Sequence, residues 1–185
     1  ISPCLVGSEM CIRDSLWIDN RSGTWSAEEA ATFCDALESS WPSTGAALDS
    51  CEWRNIVQGT MFHTNDTGTH IINSLWHGIP DDANADKIWM PDDHTEGRVA
   101  SADDEIVIDA HVVEALDLSL GDAVTIGAGT ASAEFTIVGI GYHPLHVFMA
   151  PEGSLFPPEA GQYVVGYVSD SGMAPTRAEI ADIMG

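Results

Sequence analysis

The sequence predicts an α+β fold, with mixed and antiparallel β-sheets and a few packed helices. Three observations predict it: a capped amphipathic helix near the start, two strands around a tight turn, and a later strand–helix–strand–strand segment rich in Val, Ile and Thr. No internal sequence repeat is visible. The 185 residues suit one domain, or one domain made of two subdomains, with a substantial core.

The start of the chain needs its own explanation. Residues 4–15 read Cys-Leu-Val-Gly-Ser-Glu-Met-Cys-Ile-Arg-Asp-Ser, which resembles a transposase sequencing adapter translated in frame. A signal peptide would need a continuous apolar core, and Glu9, Arg13 and Asp14 interrupt the apolar residues here. We therefore expect residues 1–15 to be non-native, as in a metagenomic fragment, and the domain to occupy residues 16–174.

The first predicted element is a helix that begins after Ser26. Ser26 and Glu29 form the Ser-x-x-Glu pattern of a capping box, and apolar residues then recur at helical spacing as far as Leu37. Pro42 marks its end. This amphipathic helix is predicted to pack one face on a sheet.

A β-hairpin is predicted next. Residues 52–62 and 69–76 flank Asn65-Asp-Thr-Gly68, which is a strong turn signal. The segment that follows, from Pro80 to Ala102, is rich in Asp, Asn and Pro and is predicted to be a surface loop.

The most informative stretch runs from Asp104 to Ile140. It predicts a strand, a short helix, a Leu-Gly-Asp turn and a second strand to Ile126, then a turn at Gly127-Ala-Gly-Thr130 and a third strand. Residues 162–168 are predicted to form a last apolar strand. A helix is then predicted to begin at Pro175, and residues 175–185 are expected to be its truncated start.

The charge balance excludes some partners. There are 29 acidic residues and 6 basic ones, so the surface repels nucleic-acid phosphates and anionic lipid headgroups. A salt-adapted surface is the simplest interpretation, and a role in binding cations is the alternative.

The sequence contains none of several common catalytic, metal-binding and phosphate-binding motifs. The seven histidines show no metal-binding spacing, although His143 and His146 are close and His94 follows two aspartates. Paired aspartates lack the order of a calcium loop, and neither a Gly-x-Ser-x-Gly nucleophile motif nor a phosphate-binding loop occurs. We therefore expect no enzyme, no catalytic residue, no metal and no cofactor.

Several of these segments resemble the extracytoplasmic domain of FtsX-like, MacB/LolC-type ABC transporter permeases, over about residues 24–170. The shared features are a Val-x-Gly-type segment at His77-Gly-Ile-Pro80, the Gly97-Arg98 pair, an acidic residue entering a strand, a Gly-Asp turn and an f-x-V-x-G-I strand. The positions that carry the resemblance are Gly78, Gly97, Arg98, Glu105, Leu118, Gly121, Asp122, Val138 and Gly139.

The resemblance implies a MacB-like periplasmic core of two subdomains on the extracytoplasmic side of a membrane. It also implies a cytoplasmic ATP-binding partner, reached through membrane helices outside this fragment, and a permease dimer. In that family the domain couples ATP-driven movement to the export or extraction of a lipid, lipoprotein, peptide or drug-like substrate, and needs no catalytic residue.

Cys34 and Cys51 are the two cysteines outside the adapter-like segment. They are compatible with a disulfide or with two buried thiols, and an extracytoplasmic location favours the disulfide. Two other functions stay open. A double-psi barrel, which binds substrates or adaptors, shares the strand–helix–Gly-Asp–strand pattern, and a secreted binding protein with a tryptophan-lined pocket is the third.

Overall fold

The architecture is that of a β-barrel in which short helices follow two of the strands directly. A computed structural model describes residues 26–41, 51, 53–79, 96–128, 130–142 and 161–174. The elements in chain order are α1 (Ala27–Ser40), β1 (Asn55–Asn65), β2 (Gly68–Ile79), β3 (Glu96–Gly97), β4 (Glu105–Asp109), α2 (Ala110–Leu116), β5 (Ala123–Ala128), β6 (Ala131–Gly141) and β7 (Tyr163–Ser169). Residues 170–174 are helical and follow β7 directly.

Six of the strands form a closed barrel. They follow one another in the order β1, β2, β7, β4, β6, β5, and the antiparallel pairing of β5 with β1 closes the circle. The short β3 adds to β6 beside the start of β5. The β2–β7 and β4–β6 pairs are parallel, and the other pairs are antiparallel. The fold is therefore α+β with a mixed sheet, as predicted.

The barrel has an approximate two-fold symmetry. Exchanging β4 with β7, β5 with β1 and β6 with β2 reproduces every pairing in the barrel with its direction. Each of β4 and β7 also leads straight into a helix at its carboxyl end. One half, β4 with β5 and β6, is continuous in sequence, and the other combines β1 and β2 with β7 from the opposite end of the described chain.

The core fills the barrel interior. All six strands contribute buried apolar side chains, among them Met61, Trp76, Ile106 and Ile137. Trp76 crosses the strand beside it, because a Cβ atom at Gly166 would lie 2.0 Å from Trp76 Cζ3. Complete burial of such side chains stabilises a fold by roughly 1.5–3 kcal/mol each.

A second apolar cluster lies on the outer face of β2, β4 and β7. It contains Ile79, Val107, Tyr163, Val165 and Tyr167, all buried. Every residue of β7 is consequently buried. This explains the uninterrupted apolar sequence of that strand, since strands buried on both faces do not alternate.

Most of the predicted local elements are confirmed. The hairpin pairs along its whole length, with Asn65 opposite Gly68, and the strand–helix–strand–strand segment has the predicted order. The capping box at Ser26 and Glu29 forms with both of its hydrogen bonds.

Two predictions are not tested by the described residues. Residues 170–174 are helical, and Ser169 Oγ at the end of β7 caps them by accepting from Gly172 N at 3.0 Å, while the helix predicted to begin at Pro175 stays a prediction. Pro175 itself lies outside the described residues, as does most of the predicted surface loop. Neither core cluster of the described residues includes a residue of α1, so packing of this helix on the sheet is not seen. The division into two subdomains stays a prediction.

Candidate functional site

The residues of the family-like motifs converge on the carboxyl-terminal end of β6. Gly97 and Arg98 lie beside Val138 and Gly139, and Arg98 N donates to Val138 O at 3.0 Å. A Cβ atom at Gly97 would lie 2.2 Å from Val138 O, and one at Gly139 would lie 2.3 Å from Arg98 O. The chain segments therefore cross at a distance that only glycine allows.

An ion pair fastens this crossing to β4. Arg98 Nη1 donates to Glu105 Oε2 at 2.6 Å, and Arg98 Nη2 makes a second, short contact with Oε1. Glu105 Oε2 also accepts from the backbone N–H groups of Ser101, at 2.9 Å, and Ala102, at 3.2 Å. The Arg98 hydrogen bonds, and then that of Ser101, lower the pKa of Glu105 from 4.5 to about 2. The carboxylate thus orders the whole turn from Arg98 to β4.

The Gly-Asp turn is tied to the same part of β6. Gly121 has φ +92° and its N–H donates to Ile137 O at 2.8 Å, while Ile137 N donates to Asp122 O at 2.9 Å. Asp122 Oδ2 accepts from Ser119 N at 2.8 Å and so closes the turn. Leu118 is buried in the core just before it.

Gly78 is the motif position that lies elsewhere. It is near the end of β2, where a Cβ atom would lie 3.3 Å from Asp170 Oδ1 and from Met173 Sδ. The other motif residues form one interlocked unit, here called the β6 crossing: Gly97, Arg98, Glu105, Leu118, Gly121, Asp122, Val138 and Gly139. Its hydrogen bonds hold backbone in place, so its role is structural.

A polar cluster that the sequence did not single out lies at the other end of β4. Asp109 is buried and caps α2 by accepting from His111 N at 2.8 Å; its Oδ1 also accepts from His111 Nδ1 at 2.9 Å. Burial raises the pKa of Asp109. The His111 ring packs edge-on against Tyr142, with centroids 4.9 Å apart. The available signal was an aspartate between a strand and Ala-His-Val-Val, which is typical of a helix cap.

The Asp109–His111 pair can orient an imidazole, but catalysis by such a pair needs a nucleophile or a substrate site beside it. In the part of the chain that the structure describes, no three His, Cys, Asp or Glu side chains converge to hold a metal ion. His94, His143 and His146 lie outside that part.

A shallow groove of about 580 Å³ crosses the pairing of β1 with β5. Gln58, Thr60, Phe62, Thr125 and Ser132 line it, together with main chain, and none of its lining residues is charged. Such a surface can form hydrogen bonds to a neutral molecule.

Cys34 and Cys51 form a disulfide, with Cα atoms 5.3 Å apart. The bridge joins α1 to the residues that lead into β1. None of the helices within the described ranges has the length and apolar character that a membrane crossing requires.

No protein-family model matches the chain, and no curated protein matches it. Among solved structures, it is similar to the extracellular domain of the noncanonic ABC-type transporter YknZ from Gram-positive bacteria. The two are 14% identical, with a TM-score of 0.41, over 68% of this chain and 56% of that one. The chain therefore spans little more than half of the length of that structure.

Proposed function

We propose that this chain is the extracytoplasmic domain of an ABC transporter permease of the FtsX-like, MacB/LolC type. The observation that carries the proposal is the β6 crossing. Four segments that are separate in sequence contact one another in space: Gly97-Arg98, the acidic residue that enters β4, the Gly-Asp turn and the end of β6. The motifs that resemble the family, apart from Gly78, are therefore parts of one unit, which supports the proposal.

A barrel fixed in this way suits the transmission of movement. Its strands are joined by ladders and by the buried interior, so a displacement applied at one end moves the unit as a whole. ATP hydrolysis by a cytoplasmic partner would supply that displacement through membrane helices, and a second permease copy would complete the transporter. The substrate would be a lipid, lipoprotein, peptide or drug-like molecule that is exported or extracted.

A binding domain of the double-psi-barrel type is the second candidate. The closed six-stranded barrel with two parallel strand pairs and approximate two-fold symmetry favours it. On this hypothesis the neutral groove across β1 and β5 binds a substrate or adaptor, and no membrane partner is needed.

Sequencing outward from both ends of the coding segment separates the candidates. The permease proposal expects one apolar helix of about 20 residues upstream and three downstream, beside a gene for an ATPase. An open reading frame that closes without those helices would overturn it and leave the binding domain. In the complete permease, Arg98→Ala should reduce transport more than Gln58→Ala, because Gln58 lies outside the β6 crossing.

A further inference from the structure

One face of α1 holds Cys51 in two ways. Cys34 and Glu38 are four residues apart, so they lie on the same side of the helix. Cys34 is bonded to the Cys51 sulfur, and Glu38 Oε1 accepts from Cys51 N at 2.9 Å. β1 begins at Asn55. The bridge therefore joins the middle of α1 almost directly to the first strand of the barrel.

Within the described part of the chain, α1 takes no part in the two apolar core clusters. Its buried residues there are Ala30 and Cys34. The remaining described side chains of α1 are exposed or half-buried. A helix of this length is marginal in water without tertiary contacts, so its stability depends on how it is attached.

We propose that the Cys34–Cys51 bridge is a redox-sensitive latch that holds α1 at the entrance of β1. A dithiol reductant would open it by thiol–disulfide exchange. A thiolate of the reductant attacks one sulfur of the bridge and breaks the S–S bond, and the second thiol of the reductant then displaces the mixed disulfide. The protein gains two electrons and two protons and has two thiols, and the reductant becomes a disulfide. The helix is then released, while the barrel, whose core contains neither cysteine, stays folded.

The bridge is a short covalent connection through which a displacement of α1 can be transmitted to the barrel. When it is closed, a displacement of α1 reaches β1 directly through the bridge. When it is open, the covalent route from α1 to β1 is the longer one along the chain, through the residues between Cys34 and Cys51. This consequence rests on the proposed function, whereas the latch itself does not.

Hydrogen exchange of the purified chain tests the latch without a membrane or a transporter. We expect dithiothreitol to accelerate exchange of the α1 amides by about tenfold or more and to leave β2, β4 and β6 unchanged within about twofold. A Cys34→Ser/Cys51→Ser double variant should show the same pattern without reductant. Glu38→Ala, which removes the acceptor for Cys51 N, should leave the oxidised helix as protected as the exposed Glu28→Ala does, since the bridge alone suffices.

Three results would overturn the latch. Alkylation and mass spectrometry could find free thiols at both cysteines in the untreated protein. The α1 amides could keep their protection after reduction, which would mean that other contacts hold the helix. Reduction could also expose the barrel amides together with α1, which would make the bridge a part of the stability of the whole fold. None of these results bears on the permease proposal, because they concern the isolated chain.

Discussion

Gly97 and Gly139 pass so closely that neither position has room for a side chain. A Cβ atom on Gly97 would lie 2.9 Å from the Cα of Gly139, and both would meet main-chain oxygens at 2.2–2.3 Å. Gly97 also has φ +84°, which favours glycine, whereas Gly121 combines φ +92° with open space around its Cα. Substitutions at the three glycines therefore distinguish two effects: steric crowding at Gly139, backbone strain at Gly121, and both together at Gly97.

Alanine at these positions should destabilise the protein to different degrees. We expect Gly121→Ala to cost about 1–2 kcal/mol through strain alone, and Gly139→Ala about 2–3 kcal/mol through overpacking. Gly97→Ala combines both effects and should cost at least as much as either. Urea unfolding of the three variants measures the free energies. A cost below about 1 kcal/mol for Gly139→Ala would contradict the close approach of β3 to β6.

The Arg98–Glu105 ion pair predicts a loss of stability in acid. Because the folded state lowers the pKa of Glu105 from 4.5 to about 2, this group stabilises the fold fully above the unfolded pKa. This contribution to stability declines as the pH falls from the unfolded pKa of 4.5 towards the folded pKa of about 2. Thermal unfolding between pH 6 and pH 2.5 should therefore show a steeper fall in Tm for the wild type than for Glu105→Gln. Parallel curves for the two proteins would show that the pair is not formed.

Local features of the fold could be predicted from sequence, and distant pairings could not. Ser26 and Glu29 are three residues apart, and the Asn65–Gly68 turn joins adjacent strands, so a short window contains each whole interaction. The parallel pairing of β2 with β7 joins Asn73 to Tyr163, and only the shape of the assembled barrel decides it. The same holds for the contact between Arg98 and β6. Sequence marked those residues as a motif without showing what they touch.

Asp109 should contribute to the stability of the fold through its helix-capping hydrogen bond rather than through its charge. Asp109→Ala removes the acceptor for His111 N and should cost about 1–2 kcal/mol. Asp109→Asn keeps an oxygen for that N–H and removes a charge whose burial is unfavourable, as its raised pKa indicates. That cost is present above the folded pKa and disappears in acid, so we expect the asparagine variant to equal or exceed the wild type in stability at pH 7. His111→Ala, which keeps the backbone cap, is the matched control.

A destabilised asparagine variant at pH 7 would contradict this ranking. It would mean that the charged hydrogen bond from His111 Nδ1 outweighs the cost of burying the carboxylate. Urea unfolding of the wild type and of Asp109→Asn over a pH series from 7 downward measures the balance directly. If burial of the charge dominates, the advantage of the variant should shrink as the pH falls through the raised pKa of Asp109, because protonation of the wild-type carboxyl removes the cost of burying its charge.

The net charge of −23 predicts that stability rises with ionic strength. Acidic side chains repel one another across the folded surface more than in the expanded chain, so folding gains when salt screens them. The screening length falls from about 30 Å at 0.01 M to about 10 Å at 0.1 M. We therefore expect Tm at pH 7 to rise by about 5 °C between 10 and 300 mM NaCl, a range in which screening dominates over the effect of salt on apolar burial. At pH 3, where most carboxyls are protonated, the rise should nearly vanish. A rise of the same size at both pH values would show that salt acts through the apolar core instead, and a constant Tm at pH 7 would mean that the acidic residues lie too far apart to repel one another.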